Sequence, residues 1–231
     1  MMQSIDGSDV LTRLDAQRGR MMSMRRTVTT IVLYVAALLI LVGCGRVRYP
    51  NYYTLNLPQP PDPPASENTH ATLAIREFSA PTYLRQGAIV YKTSPEQIGF
   101  YAYHRWATDP RKVVTNAVID RLRASAAFAR VTPYDGRPDA SYVLSGRLVK
   151  LDELDYEGGV KVEVGLSAQM TSIATGATVW TNAVSEIGEV NRRDVPAVVA
   201  EMNGTMERAI EKLLTPVPAD EVTRSTAAKR N

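Results

Sequence analysis

The chain has 231 residues, with 27 lysines and arginines against 24 acidic residues, two histidines and a single cysteine. A net charge of +3 excludes the strong basic field by which proteins hold nucleic acid. One cysteine excludes an internal disulfide, so the fold must rest on a hydrophobic core.

Taken in chain order, residues 1–20 fit no export signal and read as lying ahead of a later start, with Met21, Met22 and Met24 as alternatives; they are set aside from the fold. Arg25 and Arg26 then precede an apolar run from Val28 to Val42 that ends at Gly43-Cys44. A basic segment, an apolar run of about 15 residues and a small residue before a cut point form a secretory signal. Arg25-Arg26 lacks the continuation of a twin-arginine signal and serves only as its basic region. Leu41, Val42, Gly43 and Cys44 together resemble a bacterial lipobox. That resemblance implies diacylglycerol on the Cys44 thiol, cleavage before Cys44, and a fatty acyl group such as palmitate on the new amino terminus. Two alternatives stand beside it: a single membrane-spanning anchor, and an ordinary cleaved signal that leaves a free thiol. The run is shorter than the roughly 20 apolar residues a spanning helix needs. A lone thiol in an exported protein also asks for a reason, and lipidation supplies one. Five arginines and three aspartates precede Cys44, so the mature chain carries a net charge of only +1.

Residues 44–70 read as a lipidated tether. Tyr53, Leu55 and Leu57 alternate, which predicts a short edge strand at 52–57. The run from Pro58 to Pro64 is a polyproline-like spacer expected to loop out.

The folded domain is expected at 71–215. Ala71–Phe78 alternates as a strand, Pro81–Gly87 interrupts it, and Ala88–Lys92 and Ile98–Trp106 read as two further strands around a turn at Ser94-Pro95-Glu96. Asp109-Pro110 opens a helix with an N-cap and a first-turn proline. Val114, Val118, Leu122 and Ala126 supply its apolar stripe. Ser141–Leu151 is a strand. From Val160 to Met170 apolar residues alternate strictly with polar ones, the clearest period-2 signal in the chain. Asp152–Gly159 reads as the hairpin between those two strands, with Asp152, Glu153, Asp155 and Glu157 as its solvated tip. Ala174–Ala177 is a second tight turn, and Thr178–Val190 the returning strand. Asp194-Val195-Pro196 opens a last helix with a broad apolar face, ended by Pro216 and Pro218. Residues 216–231 read as a disordered tail. The resulting fold class is α+β: a two-layer domain with a largely antiparallel sheet and two helices packed on one face. The other face carries Lys161, Glu163, Ser167, Gln169 and Thr171, so it is wet or faces a partner.

Little in the chain carries catalytic chemistry. His70 and His104 have no metal spacing and there is no Gly-rich phosphate loop. A triad around His104 would have to assemble in space, without a nucleophile-elbow pattern to announce it. The segment from Tyr83 to Trp106 differs in kind. It crowds Tyr83, Tyr91, Phe100, Tyr101, Tyr103 and Trp106 among Arg85, Lys92 and Arg105, the residue types that dominate protein interfaces. Tyr83, Arg85, Tyr101, Tyr103, Arg105 and Trp106 are the partner-contact candidates.

The order of short motifs carries a family likeness. A lipobox is followed by Tyr52-Tyr53-Thr54-Leu55, Ile75–Phe78, Pro81-x-Tyr83-Leu84-Arg85, Ile89-Val90-Tyr91-Lys92 and Arg105-Trp106-Ala107-x-x-Pro110. Over Tyr52–Leu214 the chain resembles the ABC-type transport auxiliary lipoprotein family, the PqiC-like group. It departs from that pattern at Arg85-Gln86, where the family has Asp-Arg, and at Thr108, where an acidic residue is common. The resemblance implies a non-catalytic lipoprotein without cofactors, anchored in the outer membrane of a Gram-negative-type bacterium and facing the periplasm. It also implies an MCE-type (Mla-like) lipid transport system as partner, docked by this protein, and a homo-oligomer suited to a ring-shaped partner. Gly45, where an inner-membrane retention signal would place aspartate, agrees with outer-membrane sorting. The readings kept beside it are a periplasmic lipid or small-ligand binding module and an outer-membrane assembly lipoprotein of another system; a hydrolase is more distant.

The lipobox reading has its own test. Cys44→Ser should abolish the acyl mass on the mature protein and remove it from the membrane fraction; unchanged fractionation would refute it.

Overall fold

The alternating run at 160–170 becomes the strand β7 (Gly159–Ser172), which pairs along its length with β6 (Tyr142–Tyr156) on one edge and β8 (Thr178–Glu189) on the other, both antiparallel. The computed structural model describes residues 30–34, 48–61, 71–136, 139–156 and 158–215. The chain divides into two compact units, Met1–Arg48 and Tyr49–Asn231. In the first, the described residues are a short exposed helical stretch at Thr30–Tyr34. The lipobox Leu41, Val42, Gly43 and Cys44 lies outside the described residues. Among the described residues, no helix is long and apolar enough to cross a membrane.

The second unit is an α+β fold built on a mixed eight-stranded sheet. Its remaining strands are β1 (Asn51–Tyr53), β2 (Thr72–Ile75), β3 (Ala88–Ser94), β4 (Gln97–Trp106) and β5 (Arg130–Pro133). The longest ladders are antiparallel, but short parallel pairings flank them. On the edge of β6 away from β7, three segments dock in succession, each parallel to it. Leu73–Ile75 pair with Tyr142–Leu144, Ser79 bridges Arg147, and Val90–Lys92 pair with Asp152–Leu154. A 3₁₀ turn at Thr82–Arg85 takes up the chain between them. β5 adds to β2 in parallel, while β4 returns antiparallel to β3 and β1 adds to β4 in parallel. The parallel strands show the composition that burial on both faces demands: Leu73, Ala74 and Ile75, and likewise Ala88, Ile89 and Val90, are consecutive buried residues.

Both helices begin where the sequence signals them. Asp109 accepts a hydrogen bond from the Arg111 amide to cap α1 (Pro110–Ala124), and Asp194 accepts one from the Ala197 amide to cap α2 (Val195–Leu214). Each cap satisfies a backbone donor that has no partner inside the helix. Val114, Val118 and Leu122 are buried as the α1 stripe requires. Ala126 is not part of that stripe: the helix stops at Ala124, and Ala126 turns through φ 52° beyond it. Thr115 ties α1 to the sheet by accepting from the Phe78 amide at 3.0 Å while donating to Arg111 O at 2.7 Å. Arg121 clamps α1 to α2 through Glu207 and Glu211. The core fills the space between the helices and the face of β7 that carries Val160, Val162, Val164, Leu166, Ala168 and Met170.

Two further expectations are corrected. β6 does not end near Leu151 but continues to Tyr156, which pairs with Gly159 of β7, so among the described residues only Gly158, at φ 86°, stands in the turn, and Glu157 lies outside the described residues. Asp152 and Glu153 therefore lie inside the strand and are buried, not solvated. The described part of the proline segment stays against the fold: Leu55 before it is buried in the core, the Asn56 amide donates to Asn203 Oδ1 on α2 at 3.0 Å, and Pro60 and Pro61 line a groove with residues of both helices; residues 62–64 lie outside the described residues.

The sheet tolerates no side chain at Gly146. A Cβ there would meet the ring of the fully buried Phe78 at 2.2 Å. Gly146→Ala should cost about 1–3 kcal/mol by overpacking, read as a lower urea midpoint. Gly159→Ala, where a Cβ would meet nothing within 4 Å, should stay close to wild type.

Candidate functional site

β1, β3 and β4 bring Tyr53, Tyr91, Lys92, Tyr101 and His104 together beside the buried pair Asp152-Glu153 of the central strand β6. Successive residues of a strand point to opposite faces, so the two neighbouring carboxylates enter two separate environments. They cannot act as a carboxylate dyad, which needs both groups in one cleft.

Glu153 faces the side shared with the helices. It accepts a hydrogen bond from Tyr101 Oη at 3.3 Å. The Tyr101 ring lies against Tyr91, with centroids 4.9 Å apart, and edge-on to His104 at 5.5 Å. His104 stacks at a tilt on Tyr53, and its Nδ1 meets Tyr53 Oη at 2.9 Å. The network thus ties β1, β4, β3 and β6 together. Gly99 makes room for it: a Cβ there would come 2.3 Å from the Tyr91 ring.

Asp152 faces the open side of the sheet. Lys92 Nζ lies 3.3 Å from its Oδ2, and Tyr83 Oη, on the 3₁₀ turn, donates a long hydrogen bond to the same oxygen at 3.4 Å. Close by, Lys150 pairs with Glu163 at 2.7 Å, and Ser185 Oγ donates to Glu163 at 3.0 Å. Asp152 Oδ1 and Glu153 Oε2 are buried without hydrogen-bond partners.

Burial pushes both carboxyls above their ordinary range. At Asp152 it prevails over the attraction of Lys92, and at Glu153 over the Tyr101 hydrogen bond. The same burial, reinforced by the adjoining carboxylate, drives the Tyr83 and Tyr101 phenols well above theirs, so both stay protonated donors. At Asp109 burial also works to raise the carboxyl, but the hydrogen bonds from Arg111 outweigh it and hold the pKa below normal.

The structure separates the partner-contact candidates. Trp106 is in the core and only 7% exposed. Tyr83 and Tyr101 are half-buried, each engaged with a carboxylate. Arg85 and Arg105 flank the turn at Gln86-Gly87, where Arg105 Nη2 donates to Gln86 O at 2.7 Å. Tyr103 is exposed on β4. Tyr52 and Ile98, and Phe100 of the aromatic segment, were not among the candidates yet share the exposed rim with Tyr103. Their signal lay in the alternation of β4 once its covered face was known. Asp152 and Glu153 were missed because a charged run reads as solvent-exposed.

Two surface grooves lie among the described residues. One of about 710 Å³ is lined by Pro60, Pro61, Arg121, Leu122, Leu214 and neighbouring residues, and a polar one of about 240 Å³ lies on the open face among Ser145, Arg147, Ser167, Gln169 and Thr181. Among the described residues, no group of His, Cys, Asp and Glu is placed to hold a metal ion.

The family model described as the ABC-type transport auxiliary lipoprotein component matches residues 53–213. Among solved structures, the chain is similar to a DUF330 protein from Xanthomonas campestris, at 15% identity and TM-score 0.62, covering 78% of this chain and 99% of that one. It is similar to an uncharacterized protein at 13% identity and TM-score 0.52, covering 77% and 99%. A PelC dodecamer from Paraburkholderia phytofirmans stands at 17% identity and TM-score 0.45, covering 68% and 94%. No curated protein matches the sequence. The first two likenesses show a common fold.

The buried carboxyls give a pH test. Between the ordinary carboxyl range and their raised native values, the folded protein holds more protons than the unfolded chain. Stability therefore falls as pH rises through that window. Glu153→Gln keeps an acceptor for Tyr101 but removes the buried charge. It should raise stability by about 1 kcal/mol at pH 8 and flatten the pH dependence of thermal unfolding, with little change at pH 4.

Proposed function

The chain belongs to the ABC-type transport auxiliary lipoprotein family, and on that premise we propose that it is a non-catalytic component of an MCE-type lipid transport system, anchored by acylated Cys44 to the periplasmic side of the outer membrane. The observation that carries the reading is the family match over residues 53–213, which takes in nearly all of the folded unit. The lipobox Leu41–Cys44 supports the anchor and Gly45 supports the outer membrane over the inner.

In this role the domain is a docking body. The open face of β7 and β8 suits a protein partner, because beyond its charged end at Lys161, Glu163 and Glu189 Ser167, Gln169, Thr171, Thr181 and Ser185 present hydroxyls and amides that cost less to desolvate than charges. β8 also ends the sheet with a strand of 12 residues paired on one side only, a template for an added strand from the MCE-type protein or from another copy of this chain. The buried carboxylates and the His104 network are structural in this reading: they hold the short strand β1 to the sheet.

Affinity purification of the lipoprotein from detergent-solubilised envelopes tests the proposal. The MCE-type protein of the same cell should co-purify. Recovery of the lipoprotein alone, under conditions that keep a control complex intact, would count against it.

A further inference from the structure

The large apolar side chains exposed on the folded unit are not scattered. Among its described residues, Tyr49, Tyr52, Ile98, Phe100 and Tyr103 lie on or beside β1 and β4, and only Val179 and Ile187 lie elsewhere, on β8. Register places those of the two strands on one face. Tyr52 aligns with Arg105, and Tyr103 precedes Arg105 by two. Ile98 and Phe100 align with Lys92 and Val90, on the face that carries Asp152. Tyr101 and His104 both turn into the network on the other face. The irregularity in the β3–β4 ladder falls opposite that stretch of β4, which keeps Ile98, Phe100, Tyr103 and Arg105 together.

The position of this rim along the chain says what covers it. β1 is registered on β4 from Asn51 onward, seven residues after Cys44. Seven residues span at most roughly 25 Å fully extended, and about 15 Å as a flexible coil. The long segment up to residue 70 therefore does not set the distance between sheet and anchor; the seven residues do. An acylated Cys44 brings the β1–β4 edge to the lipid headgroups. That edge carries what an interface selects: tyrosines, with an apolar ring and a polar tip, and arginines attracted to anionic lipid, Arg105 on the rim and Arg46 and Arg48 in the link.

We propose that the rim formed by Tyr52, Ile98, Phe100, Tyr103 and Arg105 rests on the phospholipid surface of the membrane that holds the anchor, so that the domain lies against the bilayer by its β1–β4 edge and turns β8 away from it. The proposal rests on the lipoprotein reading of Cys44.

The test uses full-length acylated protein in vesicles of phosphatidylethanolamine and phosphatidylglycerol whose acyl chains carry bromine near the headgroup. Three single variants report position: Tyr52→Trp, Tyr103→Trp and, on the far strand, Val179→Trp. Flotation with the vesicles and the acyl mass report the anchor independently. After the signal of the wild-type protein, from Trp106 and Trp180, is subtracted, emission of the introduced tryptophan in the Tyr52→Trp and Tyr103→Trp proteins should fall by about twofold or more relative to unbrominated vesicles, while that in the Val179→Trp protein stays unquenched. Floating protein with no quenching at either rim position overturns the proposal and leaves the anchor standing. Equal quenching at all three positions also overturns it, by showing no preferred edge. Protection of the rim only after the transport partner is added overturns it in favour of a protein contact. Absence of acyl mass and of flotation overturns both readings.

Discussion

The fold depends on one strand that is hydrogen-bonded on both edges over most of its length. β6 gives one edge entirely to β7 and the other, in turn, to β2, Ser79 and β3. Those three segments come from a single stretch of chain running parallel to β6, broken only by the excursion through the 3₁₀ turn. A slip of one residue in any of them would send every side chain of that segment to the wrong face. The register is pinned locally: Phe78 fills the space above Gly146, and its amide is taken by Thr115 of α1. Sheet register and helix position are thus one constraint.

That arrangement explains why two acids are buried at the centre of the sheet. β6 must continue past Leu151 to give β3 its partner, and the strand carries Asp152 and Glu153 in with it. Isolated buried carboxylates are costly, and each here has only partial compensation. Asp152 has Lys92 and Tyr83; Glu153 has Tyr101. The two do not form a carboxylate dyad, because the groups face opposite sides of the sheet, and the tyrosine beside each stays protonated. Their effect is to link elements: Tyr83 to the open face, and β1 and β4 to the helix face through the Tyr53–His104–Tyr101 chain.

The same links fix the geometry of attachment. A strand of three residues would be marginal alone, yet β1 is held by backbone pairing, by His104 and, just beyond it, by burial of Leu55 and the Asn56–Asn203 hydrogen bond. The chain is therefore captured by the fold from Asn51 onward. Under the proposed acylation of Cys44, that early capture would hold the domain at a short distance from the anchor, with the β1–β4 edge toward the lipid and β8 away from it.

Much of this was legible from the sequence. Cap residues at Asp109 and Asp194, turn glycines at 158 and 176 and the alternation of β7 are local patterns, and local patterns depend on neighbours a few residues away. The two-layer class followed from them, as did one wet face of the sheet. The tertiary structure decided what periodicity does not encode. Alternation tells which face a strand buries but not which strand lies beside it or in which direction, so the parallel docking of β1, β2 and β3 could not be read. Charge tells what a residue costs to bury but not what covers it, so Asp152 and Glu153 looked like a solvated tip until Tyr83, Lys92 and Tyr101 were seen to close over them. The exposed rim beside β1 exists only because strands distant in sequence were brought side by side.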